Sequence, residues 1–209
     1  MNIKHLIAAS ALALTVASTT AAQASSIDIS LGNAGAPANA TLYNFDTSSP
    51  SNMTLSNAAV VTGSLSGQYA QPYGSTGNYV AVYGGGAATF TFTQPANYLG
   101  LLWGSVDSYN TISFYNGSTQ VGQTITGSTI QAMKSSLNLG SWGSDGTVYT
   151  NFTTSGVFNK VVLGSGSNSF EFDNVKVAAT PLPGAALLFG SALIGMGGFA
   201  RRKQKKASA

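Results

Sequence analysis

Residues 88–93 read Ala88-Thr89-Phe90-Thr91-Phe92-Thr93. Successive side chains of an extended chain point to opposite faces, so Phe90 and Phe92 share one face and the three threonines the other. β-Branched and aromatic residues suit a pleated, half-buried surface. This stretch is a strand, and the same pattern recurs on both sides of it. Ile27, Ile29 and Leu31 alternate, as do Ile112 and Phe114. Tyr79-Val-Ala-Val-Tyr83 is apolar on both faces, as a central strand would be. Tyr98 to Val106 is a longer apolar run, and Val148–Phe152, Val157–Leu163 and Phe170–Val177 complete the set.

Turn signals separate these runs: Gly74-Ser-Thr-Gly77, Gly84-Gly-Gly86, Asn116-Gly117, Asp145-Gly146 and Gly164-Ser-Gly166. About eight to eleven short strands at this spacing predict an all-β fold, an antiparallel β-sandwich of jelly-roll-like form, with a barrel as the rival. No alternation of strands and helices suggests a parallel sheet. One helix is predicted from Ser128-x-x-Gln131, which has the form of a capping box, with Ile130, Met133 and Leu137 at helical spacing. Residues 98–117 read as a hairpin turning at Asp107-Ser-Tyr-Asn110. In Phe170-Glu-Phe-Asp-Asn-Val-Lys-Val177 the phenylalanines and the valines fall on opposite parities, and a bulge at Asp173-Asn174 would reconcile them.

Charged residues make up 7% of the 209-residue chain, against about 25% in ordinary domains. Five of the nine basic residues lie in the last nine positions, and Lys4 is at the other end. Between the tails, Lys134, Lys160 and Lys176 face six carboxylates, a net −3. A basic nucleic-acid-binding face is excluded. With no Cys there is no disulfide framework and no thiol nucleophile.

Residues 1–24 read as a signal peptide. Lys4 and His5 form the basic start, Leu6 to Val16 the apolar run, and Ala22 and Ala24 the small residues before a cleavage site at Ser25. An uncleaved anchor is the alternative, but the apolar run is short for a span. At the other end, Leu182 to Ala200 carries no charge. As a helix these residues would reach roughly 28 Å, close to the ~30 Å hydrocarbon core. Arg201, Arg202 and Lys203 follow, within a basic tail at 201–206, and by the positive-inside rule would stay cytoplasmic. The prediction is a domain at residues 25–178 held outside a bilayer by a single C-terminal span.

The segment at 179–206 contains Pro181-Leu182-Pro183, then Ala-Ala-Leu-Leu-Phe-Gly-Ser, then Arg-Arg-Lys near the C-terminus. It resembles a PEP-CTERM sorting signal. Such a resemblance implies recognition and cleavage by exosortase, a membrane transpeptidase resembling Cys proteases, in bacteria that make an exopolysaccharide matrix. Leu182 stands where the Pro-Glu-Pro type has Glu, which leaves the cleavage position open. Within residues 40–178, the phrase Trp103-Gly-Ser-Val-Asp107-Ser-Tyr-Asn110 resembles a recurring group of exosortase-dependent surface proteins carrying Trp-Gly-Ser-x-Asp-x-Tyr-Asn. That likeness implies a location and a fold, and no reaction.

Several chemistries can be weighed from residue types. Asp107 with Asn110, or Asp173 with Asn174 or Asp46, offer oxygen ligands for a structural Ca²⁺, the one cofactor worth weighing; capping of turns by the same side chains is the alternative. Asp107 with Asp145, or Glu171 with Asp173, could form a glycosidase pair. The latter two share a strand face roughly 6.6 Å apart. With Phe170 and Phe172 facing the core, however, they are expected to face solvent rather than a cleft. The single His, His5, lies in the leader, and no serine elbow has a partner base. No enzyme is expected. For carbohydrate binding, exposed rings would stack on sugars; the pool is Trp103, Trp142, Tyr73, Tyr109 and Tyr115. Trp103 sits among leucines and is expected in the core. Trp142, flanked by Gly and Ser, is the exposed aromatic, with Asp107 and Asn110 as polar companions.

The sequence therefore predicts an exported surface or matrix protein, structural or adhesive, with exosortase, the membrane and exopolysaccharide as partners. The alternative is a carbohydrate-binding module for the cell's own exopolysaccharide.

Overall fold

The alternating stretch at 88–93 is the middle of one 27-residue strand in the computed structural model, which describes residues 25–32, 35–137 and 146–179. In chain order the elements are β1 (Ile27–Leu31), β2 (Thr41–Tyr43), β3 (Met53–Thr62), β4 (Asn78–Gly104), β5 (Asn110–Asn116), β6 (Thr119–Thr126), α1 (Gly127–Ser136), β7 (Val148–Ser165) and β8 (Phe170–Ala179). All strand pairings are antiparallel.

Three predicted strands, at 79–83, 88–93 and 98–106, are successive runs of β4. Gly84-Gly-Gly86, read as a turn, is a bulge instead. Register slips there between Ser56 and Ala58 of β3, with Asn57 at φ 45° and Gly85 at φ 76°. A Cβ on Gly86 would run into the Asn57 carbonyl, so glycine is what lets the two backbones approach. A second break in register falls between Thr91 and Ala96, and Pro95 sits there because the ladder is already interrupted. In the same way the predicted strands at 148–152 and 157–163 merge into β7.

The sheet order is β2-β8-β4-β7-β5-β6, with β3 on β4 and β1 on β7. Because β4 and β7 bend, hydrogen bonding continues while the strands fold into two layers. One layer holds β3, the first part of β4, the end of β7, β5 and β6, and Val80–Val82 of β4 also pair with Phe170–Phe172 of β8, linking it to the other layer. The other holds β2, β8, the end of β4, the start of β7 and β1. Rings from the two layers meet between them: Phe90 with Phe172 at 6.3 Å, and Phe114 with Phe152 at 5.7 Å. Each of these phenylalanines is fully buried, a contribution of about 1.5–3 kcal/mol apiece. This is an antiparallel β-sandwich.

Residues 98–117 do not form a hairpin. Asp107–Asn110 is a turn, closed by Asn110 N–H donating to the Asp107 carbonyl at 3.0 Å. The flanking strands pair with other partners: Trp103 lies opposite Val148 and Phe172, and Asn110 opposite Ser165. The turn carries the chain from one layer to the other. The helix is present, but its cap is Thr126, whose Oγ1 accepts from Thr129 N–H at 3.4 Å. Gln131, predicted to complete a capping box with Ser128, instead donates to the Val106 carbonyl at 2.6 Å. Ile130 is buried, whereas Leu137 is exposed. In β8 the bulge falls where the phase break puts it, with Asn174 at φ 50° and a register shift opposite Gly100–Leu102.

No helix among the described residues is long and apolar enough to cross a membrane. The leader with Ala22 and Ala24, Trp142, Asp145, Pro181-Leu182-Pro183, the predicted span at 182–200 and Arg201, Arg202 and Lys203 all lie outside the described residues.

Candidate functional site

β8 presents two carboxyls, Glu171 and Asp173, opposite in parity to Phe170 and Phe172. The expectation that they face solvent is wrong: Glu171 is 1% exposed and Asp173 2%. The segment between β3 and β4 lies over that face of the strand. Glu171 Oε1 accepts from Ala70 N–H at 3.0 Å and from the Ser169 hydroxyl, while Oε2 has no hydrogen-bond partner among the described residues. Asp173 Oδ2 accepts from the Ser75 hydroxyl at 2.7 Å, and its Oδ1 accepts from Asn174 N–H at 2.6 Å. Burial pushes both carboxyls above the ordinary range, against the lowering effect of these hydrogen bonds. Asp107 adds to the rise at Glu171, and Asp46 to that at Asp173. The pair is buried and anchors a loop.

Asn110 is completely buried in the same end of the sandwich. Its Oδ1 accepts from Trp103 Nε1 at 3.3 Å and Asp107 N–H at 3.0 Å. Its Nδ2 donates to Ser165 Oγ at 3.1 Å and to the Ser169 carbonyl at 3.2 Å. All its ordinary hydrogen-bonding capacity is used, so it cannot serve as a ligand residue. Asp107 Oδ2 accepts from the Tyr109 hydroxyl at 2.8 Å. Burial first, and then that bond and the Asp107 charge, push the Tyr109 phenol up to about 12. Among the described residues no three acidic or His side chains converge as a group that could hold a metal ion.

Of the aromatic pool, Trp103 is fully buried and stacks on Phe170 at 4.6 Å. Tyr115 lies under Lys160, whose Nζ is 4.6 Å from the ring centre. Tyr73 is 65% exposed at the tip of the anchored loop.

A groove that sequence reasoning missed lies at the other end of β8. Three segments build it: residues 41–52, the β4 break at 91–96, and Val177 and Ala179. Its volume is about 700 Å³. Tyr43 and Phe92 are half-buried in it, and both rings pack on Phe90, at 5.9 and 6.2 Å. Around them stand Asn44, Asn52, Thr91, Thr93 and Gln94. None of these five side chains is hydrogen-bonded within the described chain. Among the described residues the lining includes no Asp, Glu, Lys, Arg or His. Phe92 shares its face with Phe90, as the alternation predicts, but it is the last ring of the stretch, where the register breaks and the core gives way to solvent.

No protein-family model matches the chain, and no curated protein matches it. Among solved structures, a CBM35 from Paenibacillus barcinonensis aligns at TM-score 0.38 and 18% identity, covering 67% of this chain and 99% of that one. The catalytic domain of a GH87 alpha-1,3-glucanase aligns at TM-score 0.42 and 16% identity over 71% of this chain, both in complex with tetrasaccharides and with nigerose. This chain spans 29% and 30% of those two glucanase structures. All three TM-scores lie below 0.5, too low for the likeness to decide between folds or functions.

Proposed function

We propose that this chain is an exported, non-enzymatic surface protein whose sandwich adheres to extracellular polysaccharide. The observation that carries the reading is the groove between β2, the β4 break and the end of β8. It combines two half-buried rings with unengaged amides and hydroxyls, the equipment needed to pack on a sugar face and to bond its hydroxyls. It favours adhesion through carbohydrate over a purely structural role. The carboxyl pair with glycosidase-like spacing is occupied in holding a loop, which supports a binding role over hydrolysis. Incubating the full-length chain with the insoluble exopolysaccharide of its own cells tests this. Sedimentation with the polymer, lost in Tyr43→Ala and Phe92→Ala, is the expected result; sedimentation unchanged by both would reject the groove.

The same proposal takes the sandwich as jelly-roll-like, residues 1–24 as its signal peptide, and 179–206 as a sorting signal processed by exosortase after a transmembrane stage. The supporting features are the uncharged run at 182–200 and the basic residues that follow it. Cells with and without exosortase separate the alternatives. The intact tail should persist only without the enzyme, and equal persistence in both would refute processing.

A further inference from the structure

We infer that the groove selects a neutral polysaccharide and discriminates against uronate-bearing or sulfated polymers; this deepens, and rests on, the carbohydrate reading above. A carboxylate or sulfate drawn into this groove would shed water and meet no cation, which is costly unless the charge is paired. Among the described residues no lining side chain carries a full charge. The acid nearest in sequence to the lining, Asp46, has Oδ1 occupied by Asn78 N–H at 2.9 Å. Lys176, beside Val177, is directed instead over the Tyr149 ring, 5.4 Å from its centre.

The groups that are present match sugar hydroxyls, which both donate and accept. Asn44, Asn52 and Gln94 do the same through their amides, and Thr91 and Thr93 through their hydroxyls. Tyr43 and Phe92 are fixed against one fully buried ring, Phe90, so little side-chain freedom is lost on binding. A volume of about 700 Å³ lies within the range of about 300–1,000 Å³ seen for sites that take drug-sized ligands, which suits an oligosaccharide stretch of a polymer.

Affinity electrophoresis of the full-length chain tests this, in gels containing a linear neutral glucan, a galactomannan or polygalacturonate. A neutral polymer should retard the protein at physiological salt, with polygalacturonate at least tenfold weaker. Phe92→Ala, and separately the double variant Asn52→Ala/Gln94→Ala, should weaken retardation at least tenfold. Stronger retardation by polygalacturonate, removed by the same variants, would overturn the neutral selectivity and leave the glycan site standing. No retardation by any polymer, or retardation indifferent to both variants, would overturn the site and the selectivity together.

Discussion

The two ends of β8 use similar polar residues in opposite ways. At the Phe170 end, Asn110, Ser75, Ser165 and Ser169 are buried, and their side chains are tied to partners inside the fold. At the Ala179 end, Asn52, Thr91 and Gln94 face a groove, and their side chains have no hydrogen-bond partner among the described residues. Residue type says little about availability for a ligand; what decides it is whether the fold has already used the donors and acceptors. The Trp-Gly-Ser-x-Asp-x-Tyr-Asn phrase, the most conspicuous polar cluster in the sequence, belongs to the used end.

The largest expected effect strikes that end. Asn110→Leu removes four hydrogen bonds and leaves Trp103 Nε1 and the Ser169 carbonyl without this partner. Unfolding in urea should show a loss of about 3–5 kcal/mol. A loss under about 1 kcal/mol would mean that the network is dispensable and the comparison unsound. Next, Gly86→Val forces a side chain against the Asn57 carbonyl and should cost about 2–3 kcal/mol in the same measurement.

A third effect depends on pH. Glu171 and Asp173 hold protons more tightly folded than unfolded, so between their unfolded and folded pKa values the native state binds more protons. Their contribution is fully present below the unfolded values of about 4 and fades as pH rises through the folded ones. The urea midpoint should therefore fall with rising pH across that window. Glu171→Gln with Asp173→Asn should flatten the fall, and an unchanged slope would remove these carboxyls from the account. The smallest effect belongs to the groove: Asn52→Ala and Gln94→Ala should each shift stability by less than about 0.5 kcal/mol, since neither side chain is hydrogen-bonded among the described residues.

Strand identity was legible wherever two parities separated cleanly, as at Ala88–Thr93, and the β8 bulge was legible because Phe172 and Val175 could not share a face otherwise. The merging of strands was not. Gly84–Gly86 punctuates a sequence identically whether the chain reverses or only bulges, and the difference lies in β3, some 30 positions away. Glu171 was misplaced because alternation records one buried face and cannot register a loop laid over the other. Asn110 was visible as a turn residue, but its burial comes from β7 and β8 closing around it. The groove left no local mark, for its walls come from residues 41–52, 91–96 and 177–179.

The strand order also governs when the domain can close. Ser26 and Ser155 join β1 to β7 across 129 positions, and Asn39 reaches the Ala179 carbonyl across 140. During synthesis β1 and β2 emerge first and find no partner until the final third of the domain arrives. For that interval Ile27, Ile29 and Leu31 form an open, sticky edge. Long-range pairing of this kind makes closure slow, so a holding factor that shields the nascent N-terminal strand would matter more to yield than one acting on the finished protein.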